Sequence, residues 1–583
     1  MAGTYASLAV LLAAATLIGQ AVLAVCGQRR WSGLAPAIGL AALCPLCWWA
    51  VRLPGEGTAA VVAGGIATVL AGFYLVPRAE GAGPALRKAV PLVLAAIVLA
   101  SLPFIVEGRF GILGTGLNPD MSQHLFAVDR LAAGGSERLI ADGYPLGPHA
   151  IVVALSTLGP STVEAFAGLT IAIAVAACLT VLQPLRELSG WRRLAGAACA
   201  GFAYLIAAYL VQGAFKETIQ ALFVIAFAIA LGEVARGWSR REGRRALRAL
   251  PLAVLGAGSV YAYSFPGLLW LGGAAAVWAA IELARAARRG GAAEVRLLAR
   301  LASPTVLVAV AALAIAVVPE LGRIVDFASF ETFDPAGAGL GNLFDRLSPL
   351  EALGIWPSGD FRVEPGDGAV PAFVFYLGGL AGLAALVYGL RWSLRRGGRA
   401  LPAAFAAAVA LWLYALVAGT PYQEAKALVM VAAVIAVLSV RALVASQAPA
   451  LVAIVFLAAA GGSSVLALVN GPVGPSGYST ALADLRGNLP RGSTVVAVPD
   501  ELLAEQHAAD FIAWELRGSR ICVEPVSDPG PVLGDGVAAR VTVGLGDDGA
   551  IEPRAVETSR AAGGPGPCAL IPDAARADPS AGG

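Results

Sequence analysis

Residues 161–183 read STVEAFAGLTIAIAVAACLTVLQ, and Glu164 is the one charged side chain among them. Coiled at about 1.5 Å per residue the stretch is roughly 34 Å long, enough to cross a hydrocarbon core about 30 Å thick. Its apolar residues run on without alternating at every second position, so a barrel strand does not fit. A backbone in lipid must then satisfy its hydrogen bonds within one helix. Similar runs recur from Met1 to about Val469, and we place helices at residues 5–26, 34–52, 58–76, 89–106, 161–183, 195–214, 217–235, 249–264, 267–285, 301–318, 371–390, 401–418, 426–445 and 449–470, fourteen in all. The first has no basic flank and no small-residue cleavage site, so it reads as a retained helix and not a signal peptide. Composition agrees: 58% of residues are hydrophobic and 14% charged, against about 25% charged in soluble proteins. An ordinary cytosolic enzyme is excluded.

The loops carry a strong charge asymmetry. Alternate loops (27–33, 77–88, 184–194, 236–248, 286–300, 391–400 and 441–448, with Arg285) hold 24 of the Lys and Arg residues, and the opposite set holds nine although it is longer. The positive-inside rule puts the first set in the cytoplasm, and both termini and the long loops 107–148 and 319–370 outside the plasma membrane. Every Asp falls on the outer side.

The expected fold is thus an all-α polytopic membrane protein with a small extracytoplasmic α/β domain at its C-terminal end. Its parts are N-terminal helices (1–88), a seven-helix module (89–318) including the first outer loop, the second outer loop (319–370), C-terminal helices (371–470) and the exported domain (471–583). In that domain Ser493 to Val498 reads as a strand, Asp500 to Leu516 as a helix and Arg520 to Glu524 as a second strand, a β-α-β unit without a phosphate loop. Cys522 and Cys568 are placed to pair or to stay free, and Ala574 to Gly583 reads as disordered.

The outer loops carry the residues with chemistry. In Gly116-Leu-Asn-Pro-Asp-Met-Ser-Gln-His124, Asn118 reads as an N-cap and Pro119 as the first helical residue, with Asp120 in the first turn and His124 four residues on along the same face. Met121, Leu125, Val128 and Leu131 form a separate apolar stripe. A carboxylate beside an imidazole at a membrane boundary suits a general base. The plainer reading is that Asp120 favours the helix N-terminus and His124 satisfies a local hydrogen bond. Tyr144-Pro-Leu-Gly-Pro-His149 is a rigid turn into a short apolar helix, surface-bound or re-entrant, with Tyr144 packing and His149 either capping the turn or touching substrate.

Of 41 basic residues only Lys88, Lys216 and Lys426 are lysines. Two of them stand at outer helix ends beside acids, in Lys216-Glu217 and in Tyr422-Gln-Glu424-Ala-Lys426. Ammonium groups there either hold a phosphate as point charges or snorkel with a local Glu partner. The second long loop is acidic, and its Phe327 and Ile355-Trp356 give it apolar content to pack over a cavity. Tyr261 and Tyr263, in Tyr261-Ala-Tyr-Ser-Phe-Pro266, either line the same cavity with aromatic faces or, in the simpler reading, are interfacial anchors. The sequence has no Walker A loop and no Cys/His set at metal-ligand spacing.

This arrangement resembles the GT-C superfamily of integral membrane glycosyltransferases, which transfer sugars from polyprenyl-phosphate carriers at the outer membrane face. The likeness covers residues 89–470, with helix 89–106 as the first of the shared module. It implies that Asp120 takes the place of the acidic residue in the first outer loop. The pattern of Asp120, His124 and the Tyr-Pro-x-Gly-x-His149 turn is similar to that of actinobacterial membrane proteins of the same build, and the Ala, Gly and Arg richness suits a high-GC actinobacterium. The resemblance implies a polyprenyl-phosphate-linked sugar donor, a glycan, lipid or protein acceptor of the cell envelope, and contact with membrane lipid, with no nucleic acid. Asp120 and His124 would be catalytic, and Lys216, Glu217, Lys426, Glu424, Tyr422, His149 and Tyr144 would bind substrate. Asp120 lacks an adjacent acid, so no cofactor is assigned and a divalent metal stays open. A transporter or flippase of lipid-linked glycans, or a non-catalytic scaffold of envelope assembly, is the alternative.

Overall fold

The computed structural model describes residues 1–108, 110–114, 120–134, 143–239, 245–329, 339–340, 343, 346–360, 364–446, 448–473, 480–486, 488–490, 492–504, 508–528, 530–534, 536–546, 551–559 and 566–570. The apolar runs form helices α1 (Ala2–Val25), α2 (Ala35–Ala50), α3 (Glu56–Leu75), α4 (Ala82–Ala100) and α5 (Leu102–Val106). The first long loop supplies α6 (Met121–Ala132) and α7 (Gly147–Thr157). Then come α8 (Thr162–Leu182), α9 (Gly190–Gly201), α10 (Tyr204–Val211), α11 (Phe215–Ser239), α12 (Leu250–Val317) and α13 (Leu321–Phe327). The remaining membrane helices are α14 (Ala372–Arg395), α15 (Ala400–Ala418), α16 (Pro421–Ala445) and α17 (Ala450–Val469).

Each of the fourteen expected segments is helical, but fewer stand as separate straight spans. Among the described residues ten stretches are long and apolar enough to cross a membrane, or eleven if the bent pair α9 and α10, which meet at 54°, is one span. One of the ten is the continuous stretch around α12, and backbone breaks at Ser264 and at Gly290 and Gly291 divide α12 into three. The first break has a chemical cause: Pro266 has no N–H to bond back to Ala262, and its ring crowds that turn. The segment expected at 34–52 is the shorter α2, 16 residues long.

Lipid tails are as apolar as leucine, so helices here gain little from hiding apolar surface and associate through close packing. Small residues four apart provide it. A Cβ on Gly19 would lie 1.8 Å from the Ala35 carbonyl oxygen, and one on Gly39 would lie 1.7 Å from that of Ala15. The backbones of α1 and α2 therefore touch, and α1 packs in turn on α8 while α2 packs on α12. That gives the three N-terminal helices, for which the sequence suggests no role, a place in the bundle. Outward faces of α3, α4, α14 and α17 expose Ile66, Phe73, Leu94, Leu380 and Leu451, as lipid contact requires.

The two ends of the bundle differ. At the end formed by the basic loops, Arg186 pairs with Glu233 at 3.1 Å and Arg399 with Glu282 at 2.8 Å. The opposite end holds both long loops and the C-terminal domain. In the second loop Trp356 is buried edge-on to Phe375, and its backbone N–H donates to Ser463 Oγ at 3.0 Å.

The C-terminal domain, which opens with α18 (Thr480–Leu485), is a five-stranded sheet of β1 (Ser493–Val498), β2 (Arg520–Pro525), β3 (Val537–Leu545), β4 (Ile551–Thr558) and β5 (Ala569–Leu570), in the order β4-β3-β1-β2-β5. β1 pairs in parallel with β2 and β3, and the two edges are antiparallel. The expected β-α-β unit is present, its helix in two pieces, α19 (Asp500–Ala504) and α20 (Ala508–Glu515). Cys522 and Cys568 form a disulfide. The expected disordered end, Ala574 to Gly583, lies outside the described residues.

This domain is fastened to α6. Trp514 Nε1 donates to Asp129 Oδ2 at 2.9 Å, Arg517 Nε lies 3.0 Å from the same oxygen, and Thr162 Oγ1 donates to Asp129 Oδ1 at 3.3 Å. Asp129 is buried, so removing its carboxylate strands a cation and an indole N–H. We expect Asp129→Ala to cost about 3 kcal/mol of domain docking. Hydrogen exchange at the amides of α20 should then accelerate at least tenfold while β1 stays protected, and unchanged exchange would refute the latch.

Candidate functional site

The site is assembled at the end of the bundle that carries the long loops. α6 starts at Met121 with Asp120 just ahead of it, and the Asp120 side chain makes no capping bond to the helix. Asn118 and Pro119, expected to open the helix, lie outside the described residues. The stripe Met121, Leu125, Val128 and Leu131 is buried, and His124 is buried as well. The face with the imidazole therefore turns into protein and not to water.

The turn before α7 is held by close approach. Gly143 has a left-handed backbone (φ 74°), and a Cβ there would lie 2.1 Å from the Arg323 carbonyl oxygen. Only glycine fits. The next carbonyl, that of Tyr144, accepts a 2.7 Å bond from the Arg323 guanidinium. α7 packs between α2, α3 and α8, so it is enclosed by other helices and does not lie on the surface. His149 does not cap it, because no side chain does. Instead His149 Nε2 lies 3.1 Å from His124 Nδ1.

Aromatic rings enclose the two imidazoles. Phe215 lies 5.0 Å from His124 and 5.4 Å from His149 between ring centres, and Phe166 lies 5.9 Å from His149. Burial pushes His149 down to about 3. His124 is held well below its ordinary value by burial first, and then by His149, Lys216 and Lys426. Both rings are neutral at neutral pH.

The lysines do not take the partners that lie beside them in sequence. Lys426 Nζ reaches across to Glu217 on α11, 3.2 Å from Oε1, and lies 4.0 Å from the centre of the Tyr422 ring. Tyr263 O–H donates to the same Glu217 oxygen at 3.2 Å. Lys216 Nζ lies 3.8 Å above the Tyr144 ring, a cation–π contact. Asp120 is near enough for its charge to act on both Lys216 and Tyr422. Glu424 is the exception: it pairs with Arg346 of the second loop at 3.4 Å. So Asp120, His124, Tyr144, His149, Lys216, Glu217, Tyr422 and Lys426 converge, and Glu424 does not join them.

Phe327 packs over this region as its sequence suggests, whereas Trp48, Ser264 and Arg323 give no sequence signal. Phe327 closes on Tyr144 from the second loop at 5.8 Å. Behind Tyr144 lies a cavity lined by Trp48, Tyr261, Ser264, Glu320 and Arg323. Glu320 accepts from Trp48 Nε1 at 3.0 Å and pairs with Arg323 at 3.1 Å and Arg52 at 3.4 Å. Ser264 is buried with φ 57° and ψ −153°, a region essentially reserved for glycine, which costs on the order of 1–3 kcal/mol. Tyr261 and Tyr263 are not interfacial anchors: Tyr261 O–H donates to the Ala316 carbonyl at 2.7 Å, and Tyr263 serves Glu217. Among the described residues no three His, Cys, Asp or Glu side chains gather as a metal site.

No family model matches the sequence, and no curated protein matches it. Among solved structures the chain is similar to the cryo-EM structure of the arabinofuranosyltransferase AftD from Mycobacteria, at 16% identity and a TM-score of 0.48. The match covers 79% of this chain and 35% of that one, so the chain spans about a third of the length of AftD.

In the pair Lys426–Glu217, between two membrane helices, Glu217 is buried and Lys426 is 18% exposed, and a lone charge left there is costly. We expect Glu217→Ala and Lys426→Ala each to destabilise the protein strongly, by about 3–5 kcal/mol. The double variant should lose less than the sum, with a coupling of at least about 1 kcal/mol in thermal melts. Simple additivity would show that the two charges do not depend on each other.

Proposed function

We propose that this protein is a membrane glycosyltransferase that moves a sugar from a polyprenyl-phosphate carrier to a glycan, lipid or protein acceptor of the cell envelope, at the outer membrane face. The observation that carries the reading is the convergence of Asp120, two neutral imidazoles and two ammonium groups at one end of an otherwise apolar bundle. A transporter would carry ionisable groups along a path near the bilayer midplane.

Inverting transfer follows from these groups. Asp120 takes the proton of the acceptor hydroxyl, whose oxygen attacks the anomeric carbon. The bond from that carbon to the carrier's phosphate oxygen breaks, and the phosphate leaves with the electron pair. A fixed cation in a partly dry cleft stabilises the charge developing on it. Lys216 is the better candidate, because among the described residues no carboxylate lies within ion-pair distance of it. Lys426, committed to Glu217, shapes the field. His124 orients the acceptor within the same hydrogen-bond network.

A purified Asp120→Asn variant should melt like the parent protein yet transfer sugar about 10²- to 10⁴-fold more slowly. Lys216→Ala should weaken use of the lipid-phosphate donor by about 10- to 100-fold, the loss of one charge-assisted contact. Full transfer by the Asp120 variant would remove the proposed base.

The outward placement of this end rests on the arginine-rich loops at the opposite end. Alkaline phosphatase fused after residue 570 should be active in cells, and a fluorescent protein fused there dark. The reverse pattern would turn the protein over and rule out chemistry at the outer face.

A further inference from the structure

The contact between the two imidazoles specifies where their protons lie. His149 is fully enclosed and His124 nearly so. The rings meet at 3.1 Å through His149 Nε2 and His124 Nδ1, too close for two lone pairs to face each other, so one nitrogen bears a proton and donates. The other nitrogen of His149, Nδ1, is buried and has no hydrogen-bond partner among the described residues. Suppose His124 were the donor. Then His149, being neutral, would carry its own proton on that enclosed Nδ1 and strand an N–H, the kind of orphan that folded proteins rarely tolerate. A stranded acceptor is tolerated more readily.

We infer that His149 is a positioning residue: it donates from Nε2 to Nδ1 of His124 and fixes His124 as the Nε2–H tautomer. His124 then offers a fixed hydrogen-bond donor at Nε2 and cannot act as the base. Which nitrogen of a histidine holds the proton is commonly set by the bond its other nitrogen makes. Burial and the neighbouring cations favour neutrality of the pair. Lys216 and Lys426, from α11 and α16, oppose a further positive charge, and Phe166 and Phe215 exclude water. Asp120 is the acid at the start of the same helix as His124. The orienting role for His124 rests on the glycosyltransferase reading, whereas the tautomer does not.

The chain has only three histidines, the third being His507, so nitrogen-15 NMR of the full protein labelled at histidine and held in lipid nanodiscs can resolve them. We expect His124 and His149 to appear as Nε2–H tautomers unchanged between pH 8 and pH 5. In His149→Phe the His124 nitrogens should shift toward a mixture of tautomers, and transfer should fall at least about tenfold, since a misassigned tautomer is costly in comparable sites. His149→Gln, with an amide N–H able to reach Nδ1, should restore the tautomer and most of the rate. A proton on His124 Nδ1 in the unaltered protein, or His124 signals indifferent to His149→Phe, would overturn the inference. A tautomer lost in His149→Phe with an undiminished rate would uphold the lock and count against the orienting role of His124. A locked pair in a protein that transfers no sugar would uphold the lock and defeat the enzymatic reading.

Discussion

A charged side chain persists inside an apolar bundle only when an opposite charge or a polarisable ring stands beside it. That requirement organises one end of this molecule. Lys426 on α16 has Glu217 of α11 at 3.2 Å and the Tyr422 ring beneath it, and Tyr263, just before the first break of α12, donates to the same carboxylate. The consecutive helices α11 and α12 are thereby joined to α16, which lies far from them in the chain. The remaining ammonium, Lys216, follows from its neighbour's position: with Glu217 turned to Lys426, Lys216 turns the other way, onto Tyr144 and toward Asp120.

Loops then close over this frame by specific contacts. Arg323 holds the Tyr144 carbonyl, Phe327 meets the Tyr144 ring, and Arg346 holds Glu424. α6 links the site to the C-terminal domain, because Asp120 and His124 stand at its start and Asp129 near its end carries Trp514 and Arg517. One helix thus carries both the domain's anchor and the carboxylate and imidazole of the site.

The helices were legible in the sequence because each is an unbroken apolar run. The β-α-β unit was legible from two short strand-like runs flanking a helix, Asp120 from its place at a helix start, and His124 and the two lysines from the rarity of those residue types. Partnership was not legible. Glu424 lies two residues from Lys426, close in sequence but on another face of the helix, and the true partner is on α11. Asp129 meets Trp514 across 385 positions, a contact no local pattern encodes. His149 looked like a cap because it follows Pro148 at a helix start, yet the packing of α7 against α6 turns its ring to His124. Ser264 carries no mark at all, since serine seldom adopts its backbone conformation.

The helix α8 has a mean hydropathy of 2.4 over its most apolar window, and 94% of that window is buried within the protein. Its greasy side chains barely meet lipid in the finished molecule. Their apolarity is spent earlier, in biosynthesis, when the segment must leave the translocation channel for the bilayer on its own merit before α11 exists to enclose it. α8 ends in the middle of the bundle, walled in by neighbours from both sides of the sequence.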